Sequence, residues 1–181
     1  MIDKKCYLCG SDRLQMISPS TRDREIGVLK CEACKLVQLE HPIKNIEEFY
    51  ENSFREEYRI VPEKQEIEGY IADAERWLSQ LSDTYAVQGK TILDIGCGEG
   101  YFLKKCLEKN AIVYGVEPHK LTRERLIKDG FEVYEKNSLA GNKKFDIATC
   151  MHVLEHIPDP ISFLKEISKL VKKGGRIFVE V

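Results

Sequence analysis

From residue 90 to the end of the chain, short apolar runs alternate with stretches of helical spacing, and this alternation leaves few folds open. The runs are TILDI (91–95), AIVYGV (111–116), FEVY (131–134), FDIATC (145–150) and RIFVEV (176–181). Between them lie helical stretches at 101–107 and at 121–128, the second stopped by Gly130, and a longer one, DPISFLKEISKLVKK. Asp159 is placed to cap that last helix, Pro160 suits its first turn and Gly174 ends it. Strands separated by helices of this length pair in parallel. The expected fold class is therefore α/β, a Rossmann-like, mostly parallel sheet with flanking helices, broken off after its fifth strand.

Two further segments precede this region. Residues 1–41 are punctuated by cysteines and turn residues, and residues 42–88 are acidic and read as helical. Pro62 suits a first helical turn, and Ile67, Tyr70, Ile71, Ala74, Trp77, Leu78 and Leu81 recur at helical spacing. We expect this stripe to pack on the following domain. The expected organisation is a metal module at 1–41, a helical linker at 42–88 and a Rossmann-like domain at 89–181. The chain holds 181 residues, 43% hydrophobic and 32% charged with a net charge of −2, so it lacks the basic excess of a phosphate-tracking nucleic-acid binder. No apolar run approaches the ~18 residues of a membrane span, and the first residues, MIDKKCYLCG, lack the apolar core of a secretory signal. The expected location is the cytoplasm.

Cys6-x2-Cys9 and Cys31-x2-Cys34 are paired thiols separated by 21 residues. Two residues between cysteines let one tight turn present both sulfurs to a single ion, and two such turns complete a tetrahedral S4 shell suited to structural Zn²⁺. Gly10 and Lys35 follow the two turns, where a residue able to relax the backbone is needed. Four unliganded or transiently oxidised cysteines are the alternative. His41 lies beyond the second pair and reads as a linker residue, while Cys97, Cys106 and Cys150 read as small buried side chains.

The first run of the α/β region ends in Leu93-Asp94-Ile95-Gly96-Cys97-Gly98-Glu99-Gly100. Glycines there let the backbone turn sharply and approach a ligand at the carboxyl edge of the sheet. A dinucleotide fingerprint starting at Gly96 needs a third glycine where Tyr101 stands. Beside Asp94 and Glu99 an anionic pyrophosphate is disfavoured, and a ligand with sulfonium and ammonium groups is favoured. Glu117, at the end of the second run, is placed to accept hydrogen bonds from ribose hydroxyls.

With LDIGCGEG, VYGVEPH, FDIATCMHVLEHIPDP and LVKKGGRIFVEV in that order, the sequence resembles the class I S-adenosylmethionine (SAM) dependent methyltransferases. With the CYLCG and CEACK knuckles added, it is similar to the zinc-containing group related to sugar C-methyltransferases. The resemblance implies that Gly96 and Gly98 contact the methionine part of SAM, that Asp94 anchors the loop and that Glu117 holds the ribose. It places the adenine near Asn137 and Ser138, where an acidic residue is common and this chain has none. Cys97, Pro118 and Met151 complete the expected cofactor-binding set.

Cys150-Met151-His152-Val153-Leu154-Glu155-His156-Ile157-Pro158 follows the fourth run, at the edge where cofactor and acceptor meet. Methyl transfer is an in-line displacement, so positioning provides much of its rate. A hydroxyl or carbon-acid acceptor also needs a base, and His152 and His156 are the candidates; the other reading is that they orient the loop. HVLEH also matches the inverted zinc-protease signature H-x-x-E-H, but Pro158 follows too closely for the uninterrupted helix that signature requires. Tyr50, Phe54 and Tyr58 are read equally as a lid or as packing.

A full sheet of this class carries two more strands after the fifth. Either a second copy of the chain covers the open sheet edge or the sequence is a fragment of a longer protein. The other expected partner is a small-molecule acceptor, with no membrane, and the charge balance disfavours nucleic acid. The expected function is transfer of a methyl group from SAM to a small metabolite or sugar derivative. The alternatives are a non-catalytic SAM-binding or scaffold module working through the zinc knuckles and the open edge, and an RNA methyltransferase, against which the charge balance counts.

Overall fold

The computed structural model describes residues 5–21, 25–41 and 64–181. Pro62, Tyr50, Phe54 and Tyr58 lie outside them. No helix among the described residues is long and apolar enough to cross a membrane.

Near the N-terminus, β1 (Leu14–Ser18), β2 (Val28–Cys31) and β3 (Val37–Leu39) form an antiparallel three-stranded sheet. Helix α1 (Lys64–Thr84) comes next, and its Ala74, Leu78 and Leu81 are buried as the helical spacing requires. Tyr70 belongs to the same expected stripe but stays about half exposed, stacked on Tyr101 with ring centres 5.9 Å apart.

The second sheet contains β4 (Thr91–Ile95), β5 (Ile112–Val116), β6 (Glu132–Tyr134), β7 (Phe145–Met151) and β8 (Val171–Glu180). Its order is β6-β5-β4-β7-β8, and every neighbouring pair is parallel. Helices α2 (Tyr101–Glu108), α3 (Lys120–Lys128) and α4 (Pro160–Leu170) join the strands. The chain runs outward from β4 through β5 and β6, then crosses back to β7 on β4's other side. Strand order thus reverses between β4 and β7, where ligands enter sheets of this kind.

Alternation along β4 divides the core into two layers. Ile92 packs with Ala74, Leu78, Phe102, Leu103 and Leu126 on one face, and Leu93 and Ile95 pack with Phe145, Ala148 and Ile167 on the other. Helices therefore cover both faces, as the near-continuous apolar character of these strands requires.

The last helix is shorter than its expected span to Lys173. It ends at Leu170, and Val171, a β-branched residue in extended conformation, already pairs with Phe145. Pairing then resumes at Ile147 with Arg176. Gly174 (φ 81°) lies in this irregular stretch, and Gly175 has no room for a side chain, since a Cβ there would come within 2.6 Å of the Asp146 carbonyl.

Candidate functional site

At the carboxyl end of β4 the chain turns into α2 through three glycines with positive φ, Gly96 (76°), Gly98 (51°) and Gly100 (73°). Gly96 and Cys97 both donate their amides to the Val116 carbonyl, at 2.8 and 3.0 Å, so the loop folds over the end of β5. A Cβ at Gly96 would lie 2.4 Å from Val153 Cγ2. Only glycine satisfies both the dihedral and the space at that position.

The two expected carboxylates stand on neighbouring strands, Asp94 opposite Gly115 and Glu117 just beyond Val116. Asp94 is 3% exposed and Glu117 7%. Burial pushes the Asp94 carboxyl up to about 7, with the Glu117 charge adding to it, while a 2.7 Å hydrogen bond from the fully buried Thr149 hydroxyl works the other way. Glu117 accepts from the Gly98 amide at 2.9 Å on one oxygen and from the His119 amide at 2.8 Å on the other. The carboxylate is thus tied to the glycine loop it faces. Arg123 donates to the carbonyls of Glu117 and Pro118, both at 2.7 Å, and fixes the bend after β5. Pro118 itself is half-buried beside that bend.

The remaining expected cofactor residues surround the same edge. Cys97 is buried, and desolvation holds its thiol well above the ordinary range. Met151, 7% exposed, closes β7. Asn137 opens the short 3-10 turn Asn137–Ala140 after β6, and its side-chain oxygen is buried without a hydrogen-bond partner among the described residues. A buried carbonyl in that state costs about 1–3 kcal/mol unless a ligand supplies a donor.

His152 and His156 follow β7. His152 has φ 52°, a left-handed conformation uncommon outside glycine, and its amide donates to the Glu180 carbonyl at 2.9 Å. Its Nδ1 is 3.5 Å from Glu155 and its Nε2 3.9 Å from Glu180. His156 closes the 3-10 turn Leu154–His156, so no continuous helix presents the two histidines together as a protease metal pair would need.

Sequence reasoning missed Thr149, Arg123, His119 and Glu180. None left a signal: Thr149 lies directly across the β4–β7 pair from Asp94, but the register that brings them together is not written in either strand.

In the N-terminal sheet the four expected metal ligands converge: the sulfurs of Cys6, Cys9, Cys31 and Cys34 all lie within 4.8 Å of one another. Cys6 and Cys34 are 3.5 Å apart and Cys9 and Cys31 3.7 Å. A zinc–sulfur bond of about 2.3 Å in a regular tetrahedron separates sulfurs by about 3.8 Å, so the spacing fits the ion. The two knuckles are alike. Gly10 donates to the Cys6 carbonyl and Lys35 to that of Cys31, both at 2.9 Å, with φ of 70° and 68°. A hydrogen bond from the Cys34 amide leads the interactions that bring the Cys31 thiol down to about 6. The Leu36 amide lowers Cys34, but burial and the three neighbouring thiols outweigh it and push Cys34 up to about 12. Four thiols this close compete for negative charge, and a shared divalent cation removes the competition. His41 lies outside the cluster, and Cys97, Cys106 and Cys150 are buried free thiols.

The model of the family described as "Methyltransferase domain" matches residues 65–181. The chain belongs to the methyltransferase domain family. Among curated proteins it is 38% identical over 113 residues to a ubiquinone biosynthesis O-methyltransferase of Aeromonas salmonicida, covering 57% of this chain and 47% of that one. A protein of the same name from Salmonella arizonae is 33% identical over 138 residues, covering 71% and 52%. The chain thus spans about half the length of these relatives. Among solved structures, magnesium protoporphyrin IX methyltransferase from Synechocystis with bound SAM superposes with a TM-score of 0.57 at 15% identity over 70% of each chain. Coclaurine N-methyltransferase superposes at 0.51 and 21% identity, over 60% of this chain and 35% of that chain. Both carry the same fold.

Proposed function

We propose that this methyltransferase domain binds SAM at the carboxyl edge of β4 and β5 and transfers its methyl group to a hydroxyl of a small molecule. The observation that carries the reading is the pair of buried carboxylates, Asp94 and Glu117, on neighbouring strand ends around a loop in which Gly98 is bonded to Glu117. Negative charge held in place beside a loop that admits close backbone approach favours a cationic nucleoside. Bound there, SAM supplies an electrophilic methyl carbon on a positively charged sulfur.

The chain's own residues divide the remaining work. Glu117, held by two amides and backed by Arg123, is positioned to take the ribose hydroxyls. Asn137 offers its buried carbonyl oxygen to the adenine amino group, where a carboxylate would otherwise serve. Asp94 stabilises positive charge above the loop from behind Gly96 and Cys97. Met151, which is buried, and Val153, whose side chain faces Gly96, supply apolar surface beside the loop.

The activity named for the curated relatives supports oxygen as the receiving atom, a choice the sequence alone left open. The cysteine cluster is read as a structural zinc site, because four protein thiolates leave no position for water or substrate. Zinc bound there crosslinks the two knuckles. We retain the three-part division of the chain at residues 41 and 88.

The test is calorimetric titration of SAM and S-adenosylhomocysteine into the protein and its Asp94→Ala and Glu117→Ala variants, followed by transfer of radiolabelled methyl to hydroxyl compounds. Micromolar binding lost in both variants is expected. Absence of binding at millimolar SAM would overturn the reading. A second reading draws on the outer strand β8, where Ile177 and Val179 are each 37% exposed. Saturable SAM binding with no transfer to any acceptor, in a stable oligomer, would favour a non-catalytic scaffold.

A further inference from the structure

The carboxyl edge holds a second network, built from α1, β7 and β8, that cofactor binding leaves unused. Glu180 receives both arms of the Arg76 guanidinium at 2.8 Å and the indole N–H of Trp77 at 2.8 Å. The His152 ring meets the Trp77 ring edge-on, with centres 5.7 Å apart. The backbone N–H of His152 is bonded to the Glu180 carbonyl, which holds the left-handed turn that aims this ring back toward α1. Its side chain remains 54% exposed.

We propose that His152 takes the proton of the acceptor hydroxyl and that Glu180, clamped by Arg76 and Trp77, is the positioning residue that sets the imidazole for it. The inference rests on the methyl-transfer reading above. As the acceptor oxygen forms its bond to the methyl carbon, the carbon–sulfur bond breaks with its electron pair left on sulfur, and the hydroxyl proton passes to Nε2 of His152. Nε2 lies 3.9 Å from Glu180, beyond hydrogen-bond distance, so the carboxylate holds no ring proton there and the Nε2 lone pair is open to the acceptor's proton. The imidazolium formed then sits between Glu180 and Glu155, both negatively charged, and returns its proton to water through the exposed side of the ring.

The charged groups facing His152 are Glu155 from its own loop, Glu180 from β8, and Arg76 from α1, which Asp73 also contacts at 3.2 Å. The Arg76 hydrogen bonds hold the Glu180 carboxyl down to about 2, so it stays ionised at neutral pH. Glu180 and Arg76 therefore act on His152 with opposite sign. Those opposite signs report the electrostatic coupling, and a matching move in the acid limb of kcat separates proton transfer from a structural clamp.

The chain has a single tryptophan, and a protonated imidazole in ring contact quenches indole emission. The experiment is a fluorescence pH titration of the intact protein and its His152→Gln, Glu180→Gln and Arg76→Gln variants, with SAM affinity measured in parallel. The expected result is an emission rise with pH that disappears in H152Q, moves to lower pH in E180Q and moves to higher pH in R76Q. If E180Q loosens α1 and loses its helical signal, the upward shift in R76Q, which keeps Glu180, decides alone. With catechol as acceptor, the acid limb of the kcat profile should move with the emission midpoint in each variant, and the KM for SAM should stay unchanged. An emission curve indifferent to H152Q, shifts of the same sign in E180Q and R76Q, or an acid limb that stays fixed would overturn the proposal. Loss of SAM binding in the unmodified protein would instead sink the methyl-transfer reading beneath it.

Discussion

Thr149 Oγ1 and Asp94 Oδ1 lie 2.7 Å apart across the β4–β7 pair, both buried, at the point where the strand order of the sheet reverses. The hydroxyl donates to the carboxylate and favours its charged form against the cost of burial.

Replacing Thr149 by Val removes that donor without changing the volume much. We expect SAM affinity to fall roughly tenfold, the lower end of what a hydrogen bond to a charged group contributes. S-adenosylhomocysteine, which lacks the sulfonium charge, should lose less, and Thr149→Ser should restore both. Calorimetry at pH 7.5 measures the difference; equal losses for the two ligands would count against an electrostatic role.

Asp94 also makes stability depend on pH. Its carboxyl is raised from 3.8 to about 7, so the folded chain binds this proton more tightly than the unfolded chain does. The stability it contributes is fully present below about pH 4 and is lost as pH rises through about 7. Asp94→Asn removes the titration. Its Tm should therefore gain on the parent's between pH 5 and pH 8, at roughly 2–4 °C for each kcal/mol relieved. The same variant should bind SAM poorly at either pH. A Tm difference independent of pH would contradict the buried-charge account.

Asn137→Leu replaces an unpartnered buried carbonyl with an apolar side chain of similar size. The ligand-free protein should be unharmed or slightly stabilised, whereas SAM and S-adenosylhomocysteine should lose affinity about equally, by roughly five- to tenfold for one neutral hydrogen bond. Differential scanning fluorimetry with and without ligand separates the two effects.

The cysteine cluster should hold about one zinc per chain, measured by atomic emission, with all four of its thiols unreactive until a chelator is added. Cys97, Cys106 and Cys150 should then still resist a thiol reagent, because each is buried among the apolar residues of the second sheet. Seven thiols reacting together on chelation would mean that the two parts of the chain unfold as one.

Much of this was legible in the sequence. Asp94 and Glu117 could be placed because an acid at the end of an apolar run marks the edge of a parallel sheet, and the doubled C-x2-C fixed the cysteine turns. Residues acting across the fold were not. Trp77 and Glu180 are 103 positions apart, and nothing in an amphipathic stripe or a terminal strand announces that an indole will meet a carboxylate. The early end of α4 was hidden for a different reason. LVKK continues the helical pattern, and only pairing of Val171 with Phe145 draws those residues into the sheet.

Gly115 sits in the middle of β5, where a Cβ would come within 2.6 Å of Cys97 Sγ and 3.3 Å of Leu103 and Val133. The bare strand is therefore a mould into which the glycine loop after β4 is pressed, and its smoothness sets how deep that loop can seat. Adding one methyl group there, Gly115→Ala, would lift the loop from beneath without touching any ligand, tilting the Gly96 and Gly98 amides together. The glycine loop can thus be retuned from a strand position buried beneath it.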